Sequence, residues 1–276
     1  MEQAVNILDK KIAFIGGGNM AEAIIKGLLS QGIFPADSIS VGNRTEERCR
    51  YWERVYGVRA FTDNGKAVAG ADVIVLAVKP QVAPNVFTEQ LASYIDSNAC
   101  IISIMGSVTL SQLEAYFSKR SIIRTMPNTP LAVGEGVTAI AQGAGASEED
   151  LLCAEKIFSC CGITERVDEN QLEAVTALSG CGPGYAFVII DALADAGVRA
   201  GLPRQLAIRL AAQTLAGSGK LCLTSGLHPA QLRDQVTSPG GTTIAGIHAL
   251  EAHGIRGAFF DAVQAVINRN RELQSK

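Results

Sequence analysis

Short apolar runs rich in β-branched residues alternate with helical patterns over the first 167 residues. The runs predict strands at 12–15, 39–41, 72–78, 100–104, 121–125 and 136–141. The runs 72–78 and 100–104 are almost continuously apolar, which is typical of parallel strands covered by helices on both faces. This alternation predicts an α/β fold, a doubly wound sheet with right-handed connections.

Helix-start signals lie between these runs. Residues 19–30 have a helical apolar face, and two segments match the capping box that opens a helix, Thr109-x-x-Gln112 and Ser147-x-x-Asp150. The second ends in an acid shorter than the usual Glu or Gln. Both segments therefore predict helix N-termini.

The strand pattern ends after Val167. Residues 168–276 are rich in Ala, Leu and Gly at helical spacing, and the spacing is interrupted at 180–184, 201–203, 217–219, 227–229 and 238–241. This pattern predicts an all-helical domain. We place the two domains at 1–170 and 171–276.

The most apolar stretch of the second domain is 186–202. Asp191, Asp195 and Arg199 interrupt it at a spacing of one helical face, which indicates a helix with a polar stripe rather than a membrane span. The first eleven residues contain no targeting segment, and we expect a cytoplasmic protein.

Charge and cysteine content narrow the class of function. The chain has 24 Lys and Arg against 27 Asp and Glu, a balance that argues against a nucleic-acid or membrane partner and favours a small-molecule substrate. Its seven cysteines lack a C-x-x-C spacing, so neither a metal site nor a disulfide framework is predicted. Free thiols in a reducing compartment are expected.

The first chemical motif is G-x-G-x-x-A at the end of the first predicted strand. Gly16 would make the tight turn, Gly18 would let a pyrophosphate approach the backbone, and Ala21 would allow close packing of helix on strand. Because the motif lies between a strand and a helix, it predicts dinucleotide binding. A purely structural glycine turn is the alternative.

The residues after the second strand bear on which dinucleotide binds. Asn43, Arg44 and Thr45 stand where an NAD-binding chain has an acid, and their donors and positive charge suit a 2′-phosphate. NADPH is therefore favoured, with NADH as a weaker cofactor. Alternatively, Arg44 is a solvated surface residue and Thr45 caps the next helix.

Two further segments, 77–81 and 126–130, follow predicted strands. Ligands of open α/β sheets bind at the carboxyl ends of strands, so Lys79 could reach the cofactor phosphate or ribose and Asn128 could lie near the nicotinamide. For the prolines beside Asn128, loop rigidity is an equally good explanation.

In the helical half, Ser238-Pro-Gly-Gly-Thr-Thr243 precedes an apolar helical run. Backbone N–H groups at such a helix N-terminus, with hydroxyls beside them, can hold a small carboxylate. An ordinary helix cap formed by Thr242 or Thr243 is the alternative. The glycine-rich stretch 179–185 could be a hinge or a helix-packing site.

No other catalytic arrangement is apparent. None of the three histidines, His228, His248 and His253, stands in a motif with a partner, and a nucleophile elbow, H-E-x-x-H and a P-loop lysine are lacking. Hydride transfer, in which the cofactor supplies the reactivity, is the chemistry that remains.

Five stretches together are similar to the pyrroline-5-carboxylate reductase family over nearly the whole chain: GGGNMAEAIIKGLL, LAVKPQ, MPNTP, ALSGCGPGYAF and QLRDQVTSPGGTTIAGIHALE. The resemblance implies an NADP-binding Rossmann domain and a helical domain through which subunits dimerise, with decamers as a larger assembly. It implies direct hydride transfer from NADPH to the imine carbon of 1-pyrroline-5-carboxylate, which gives L-proline in the last step of proline biosynthesis.

The resemblance also assigns site residues. Those implied for the cofactor are Gly16, Gly18, Asn19, Met20, Asn43, Arg44, Thr45, Asn64, Ala77, Lys79, Pro80, Met105 and Asn128. Those implied for the substrate are Ser238, Gly240, Gly241, Thr242 and Thr243, with the Thr243 hydroxyl at the ring nitrogen as the catalytic group. Cys181 and Gln235 depart from the usual family pattern.

Two alternatives remain. A hydroxyacid reductase or another imine reductase of the same two-domain plan commonly needs a lysine in the helical domain as acid. Here Lys156 precedes the boundary and Lys220 is expected in a turn beside Gly219. The other alternative is a nicotinamide-nucleotide-binding protein without catalysis, in which an eroded 238–243 segment is expected; the segment here is complete.

Overall fold

The computed structural model describes residue 7 and residues 9–274. It forms two compact units, one reaching to Gly180 and one spanning Cys181–Leu273. Residues 1–6 and 8, which belong to the segment in which no targeting signal is expected, lie outside the described residues. The first unit extends past residue 170 because Leu172 is buried against Ala139 and Ala141 of the sheet.

The first unit is built on an eight-stranded sheet in the order β3-β2-β1-β4-β5-β6-β7-β8, and every neighbouring pair is parallel except β6 and β7. The strands are β1 (Ile12–Ile15), β2 (Ile39–Gly42), β3 (Arg59–Phe61), β4 (Val73–Leu76), β5 (Cys100–Ser103), β6 (Ser121–Pro127), β7 (Gly136–Gln142) and β8 (Gly162–Arg166).

The predicted α/β class is confirmed, and all six predicted strands are present. The sequence pattern missed β3 and β8, the two edge strands. β3 has only three residues, and the half-exposed Gly162–Arg166 run carries polar residues where a covered strand would carry apolar ones. Edge strands need little apolar surface, so hydrophobic pattern alone detects them poorly.

Alternate residues of the central strand β1 face two separate hydrophobic clusters. Ile12 and Phe14 lie in one cluster, whereas Ala13 and Ile15 lie in the other, and all four side chains are fully buried. Helices therefore cover both faces of the sheet, as expected for a doubly wound fold.

The helices are α1 (Asn19–Ser30), α2 (Glu46–Tyr56), α3 (Asn64–Val68), α4 (Ala83–Val86), α5 (Glu89–Tyr94), α6 (Leu110–Tyr116), α7 (Glu148–Ser159), α8 (Leu172–Val175), α9 (Gly182–Arg199), α10 (Arg204–Ser225), α11 (Pro229–Gln235), α12 (Thr242–Ala252) and α13 (Ile255–Gln274). Both predicted capping boxes, at Thr109 and at Ser147, are present with side-chain bonds in both directions. Between Cys181 and Leu273 the secondary structure is helical throughout, as predicted.

One predicted helix break is wrong. Gly217 and Gly219 lie inside the 22-residue helix α10, so Lys220 is in a helix and not in a turn. A glycine costs a helix interior only about 1 kcal/mol, which neighbouring turns can offset. The predicted break at 180–184 is present: a short π-helix, Thr176–Gly180, ends there, and α9 begins after Cys181 with Pro183 in its first turn.

The second unit exposes most of its large apolar side chains. Phe187, Val188 and Phe260 are 65%, 69% and 77% exposed, whereas its buried hydrophobic residues within the described range are the alanines 194, 207 and 211. The segment Glu169–Arg199 is long and apolar enough to cross a membrane by length and composition, with 11% of its most apolar window buried. An exposed apolar surface of this extent marks a site of interaction.

Candidate functional site

The glycine turn after β1 requires glycine at its first position. Gly16 has a φ of +101°, and a Cβ there would lie 2.8 Å from the carbonyl oxygen of Ala77. The backbone N–H of Gly16 donates to the carbonyl of Gly42 (3.1 Å), and that of Ala77 donates to Ile15 (2.9 Å). The turn therefore lies between the end of β2 and the segment after β4 and is hydrogen-bonded to both.

The next two glycines differ in their surroundings. A Cβ on Gly17 would lie 2.5 Å from both Asn43 Oδ1 and Trp52 Nε1, whereas a Cβ on Gly18 would meet nothing within 4 Å. Gly18 is extended and opens α1 without a side-chain cap. The N–H groups of the first turn, at Asn19 and Met20, thus have no intrahelical partner, and the Cβ side of the neighbouring Gly18 is open. This arrangement fits a pyrophosphate.

The loop after β2 lies beside this turn because β1 and β2 pair in register, Ile15 with Gly42. Asn43 is half-buried, and its Nδ2 is a buried donor without a partner in the described part of the chain. Arg44 is exposed. Thr45 caps α2, since its Oγ1 accepts from the backbone N–H of Arg48 (3.4 Å). Of the two roles considered for Thr45, the structure shows the helix cap.

Asn64 begins α3 and closes the other side of the same loop. A Cβ on Gly42 would lie 2.2 Å from Asn64 Oδ1, so glycine at the end of β2 is what lets this carboxamide approach the loop. A free buried amide donor on Asn43 and an exposed guanidinium on Arg44 are suitable groups for phosphate and ribose oxygens.

The segment after β4 lies on the opposite side of the glycine turn. β1 pairs with β4 in register, Ile15 with Leu76. Ala77 is half-buried, Lys79 is exposed, and Pro80 starts a short 3₁₀-helix, Pro80–Val82. The three residues lie at the carboxyl edge of the sheet, where doubly wound folds bind their ligands.

Two of the predicted cofactor residues, Met105 and Asn128, are buried. Met105 is 2% exposed and packs in the second hydrophobic cluster, and its backbone N–H donates to Ser103 Oγ (3.2 Å). Asn128 is 8% exposed; its Oδ1 accepts from the backbone N–H of Val137 (3.0 Å), and its Nδ2 donates to the carbonyl of Ser179 (3.2 Å).

In the second unit, the segment before α12 forms a glycine-led turn at a helix N-terminus. Gly240 has a φ of +67°, and the N–H of Gly241 donates to the carbonyl of Ser238 (3.0 Å). A Cβ on Gly241 would lie 2.3 Å from Ser238 Oγ. Gly241 opens α12 without a side-chain cap, and Thr242 and Thr243 are exposed. The alternative in which a threonine caps this helix does not occur.

The predicted site residues therefore form two groups. The cofactor residues that follow β1, β2 and β4 meet at one edge of the sheet, and the five substrate residues adjoin one another at the start of α12. Sequence reasoning missed a charged network behind the glycine turn. Its members are Glu22, Arg48, Tyr51 and Tyr56; an acid in the first turn of α1 was the available signal.

Burial tends to raise the pKa of Glu22, but hydrogen bonds from Tyr51, Arg48 and Tyr56 outweigh it and lower the pKa below its usual range. Burial together with the Glu22 hydrogen bond raises the pKa of Tyr56. The carboxylate is consequently ionised at neutral pH, and Tyr56 is a neutral donor. The ion pair between Glu22 and Arg48 thus lies beside the glycine turn, since Arg48 also donates to the carbonyl of Gly17.

The fold and site define an NADP-dependent oxidoreductase with a helical dimerisation region. Residues 11–107 match the family model described as NADP oxidoreductase, coenzyme F420-dependent, and residues 169–273 match that of pyrroline-5-carboxylate reductase dimerisation. A pyrroline-5-carboxylate reductase of Arabidopsis thaliana is 42% identical over 95% of each chain. This chain belongs to the pyrroline-5-carboxylate reductase family.

Solved structures of the family have the same fold. A pyrroline-5-carboxylate reductase from Coxiella burnetii superimposes with a TM-score of 0.90 at 37% identity, covering 96% of this chain and 98% of that one. A pyrroline carboxylate reductase from Plasmodium falciparum with NADP bound has a TM-score of 0.86 at 30% identity, covering 97% and 99%.

Proposed function

We propose that this chain is an NADPH-dependent enzyme that reduces 1-pyrroline-5-carboxylate to L-proline, the last step of proline biosynthesis. The observation that carries the proposal is a pair of uncapped, glycine-led helix N-termini, at α1 and at α12, in a chain of this family. One suits a pyrophosphate and the other a small carboxylate. The bound nucleotide supplies the hydride that adds to the imine carbon.

The first unit binds and orients the nucleotide. Gly16 and Gly18 shape the turn, and the N–H groups of Asn19 and Met20 receive the pyrophosphate. Asn43, Arg44 and the hydroxyl of Thr45, which also caps α2, hold the adenosine 2′-phosphate, and Asn64 holds the adenosine side. Ala77, Lys79 and Pro80 line the turn from β4, and Met105 and Asn128 hold the nicotinamide side. NADH, which lacks the 2′-phosphate, binds more weakly.

The second unit holds the substrate carboxylate. The N–H groups of Thr242 and Thr243 donate to it. The N–H of Gly241, for which the same role was expected, is taken by the Ser238 carbonyl, so Ser238, Gly240 and Gly241 maintain the turn. The Thr243 hydroxyl donates a hydrogen bond to the ring nitrogen, which aligns and polarises the imine. An aliphatic hydroxyl is too weak an acid to supply the proton itself, so solvent or an already protonated substrate supplies it.

We further propose a homo-oligomer that is a dimer through the helical unit, with a decamer as the larger assembly. The exposed apolar surface of α9, α10 and α13 and the dimerisation family match support this. The seven cysteines are free thiols, which is compatible with a reducing, cytoplasmic compartment. The proposed substrate of the enzyme is a small molecule, and we expect neither nucleic acid nor a membrane as a partner.

The alternative reductases of the same plan are tested by substrate competition. Purified protein with NADPH is offered 1-pyrroline-5-carboxylate and, separately, a panel of small keto acids and other cyclic imines. The proposal predicts that the five-membered imino acid gives the highest kcat/KM. Lys220 is exposed and lies within α10. Because the alternative reductases commonly use a lysine of the helical domain as acid, the comparison of substrates is needed to distinguish them. A keto acid as best substrate would contradict the proposal, and NADPH binding without turnover would favour a non-catalytic protein.

A further inference from the structure

Three side chains of α2 converge on one carboxylate of α1. Glu22, in the first turn of α1, accepts hydrogen bonds from the hydroxyls of Tyr51 (2.5 Å) and Tyr56 (2.9 Å) and forms an ion pair with Arg48. The side chains of Arg48 and Glu22 are only 33% and 22% exposed. The carboxylate therefore ties α2 to the start of the helix that follows the glycine turn.

Arg48 also reaches the glycine turn itself. Its Nε and Nη2 donate to the carbonyl oxygen of Gly17 at 3.4 and 3.3 Å, and the guanidinium lies 4.2 Å from the centre of the Tyr51 ring and 5.2 Å from that of Trp52. The planar fork thus lies over two aromatic rings and binds a carboxylate and one backbone carbonyl, and these contacts fix its orientation.

The bond to Gly17 constrains the neighbouring N–H. The Gly17 carbonyl and the Gly18 N–H belong to one planar trans peptide, so they point in opposite directions. Because Arg48 holds the oxygen on the α2 side, the Gly18 N–H is directed away from α2. That N–H belongs to the residue that opens α1, and a Cβ on the same residue would meet nothing within 4 Å.

The same residue contacts the loop after β2 through its backbone. The N–H of Arg48 donates to Thr45 Oγ1 (3.4 Å), while its side chain binds Gly17. Since Glu22 offsets its charge, Arg48 brings little net positive potential to the site. A geometric role suits this arrangement better than direct attraction of a 2′-phosphate.

We propose that Arg48, held by Glu22, is a positioning residue that orients the Gly17–Gly18 peptide for the nucleotide pyrophosphate. This inference rests on the nucleotide-binding role proposed above. It makes a specific prediction, because the pyrophosphate is common to NADPH and NADH. Loss of the Arg48 fork should weaken both nucleotides by the same factor, whereas loss of a 2′-phosphate ligand would weaken NADPH alone.

The test is a titration of Arg48→Met, Arg48→Lys and Glu22→Gln with NADPH and with NADH, followed by the fluorescence of the bound reduced nucleotide. Arg48→Met should raise both dissociation constants by roughly tenfold, the range of a hydrogen bond to a charged group. Arg48→Lys should recover only part, because an ammonium lacks the fork, and Glu22→Gln should give an intermediate loss. The rate at saturating NADPH should stay within about twofold of wild type, since binding and not chemistry changes.

Arg50→Met is the matched control, because Arg50 is an exposed arginine of the same helix; it should leave both affinities unchanged. A loss confined to NADPH, or unchanged affinity in Arg48→Met, would overturn the inference. If Arg48→Met does not fold, Glu22→Gln decides: equal, measurable weakening of both nucleotides supports the inference, and wild-type affinity contradicts it. Failure of the wild-type protein to bind either nucleotide would instead contradict the proposed function.

Discussion

The carboxamide of Asn128 donates a hydrogen bond to the carbonyl of Ser179, 3.2 Å away, and so joins the end of β6 to the π-helix that precedes α9. Its other end accepts from the backbone N–H of Val137 (3.0 Å). Asn128 thus connects three segments of the first unit and is also a proposed nicotinamide-side residue. A π-helical turn is a frequent companion of functional sites.

Replacing Asn128 tests the structural part of this role. Asn128→Ala removes both bonds and leaves the Val137 N–H without its acceptor, so we expect a loss of about 1–3 kcal/mol in the free energy of unfolding. Asn128→Asp keeps the acceptor for Val137 and should lose less at low pH, where a protonated carboxyl can still donate. Urea unfolding measures both; an Asn128→Ala variant as stable as wild type would contradict the role.

Arg44 tests cofactor choice. Arg44→Glu replaces an exposed positive charge beside the Asn43 amide with a carboxylate that repels the 2′-phosphate. We expect NADPH binding to weaken by roughly 1–3 kcal/mol, with a much smaller effect on NADH. Dissociation constants for the two nucleotides give the comparison, and Arg54→Glu on the exposed face of α2 is the control. Equal losses for both nucleotides would remove Arg44 from the phosphate site.

Thr243 tests the catalytic assignment. Thr243→Ala removes the hydroxyl that aligns the imine while leaving the backbone N–H groups of α12 in place. Turnover should fall by roughly 10²-fold, in the lower range for a positioned polar group, with NADPH affinity unchanged. Thr243→Ser should recover most of the rate because it keeps the hydroxyl. Unchanged turnover in Thr243→Ala would mean that the hydroxyl takes no part in the reaction.

Phe260 tests the partner surface of the helical unit. Phe260 lies on α13 and is 77% exposed. Val133, in the first unit, has the same exposure and serves as the control. Phe260→Asp should shift the sedimenting species toward monomer because a buried, unpaired carboxylate is costly at an apolar interface, whereas Val133→Asp should leave the assembly unchanged. Wild-type protein that sediments as a stable folded monomer would contradict the proposed dimer.

Local patterns predicted the parts of this molecule that depend on local physics. The glycine turn at Gly16 and the capping boxes at Thr109 and Ser147 each combine residues within a few positions of one another, and the structure contains all three. The covered strands were equally visible, because burial on both faces demands continuous apolar runs.

The remaining features depend on long-range contacts. The partners of Glu22 lie 26, 29 and 34 residues away in the sequence, so periodicity does not reveal them. The edge strand β8 gains its pairing from β7 rather than from apolar surface of its own. The two glycines of α10, Gly217 and Gly219, predict a break, yet packing of α10 against α9 outweighs their weak helix preference.

The most direct measurement of the central claim follows the hydrogen itself. The protein is incubated with 1-pyrroline-5-carboxylate and NADPH deuterated at both C4 positions, and the product is analysed by mass spectrometry. The account predicts L-proline that carries one deuterium at the former imine carbon, formed in step with the loss of absorbance of the reduced nucleotide. Unlabelled proline, or no proline while the wild-type protein binds NADPH, would contradict it.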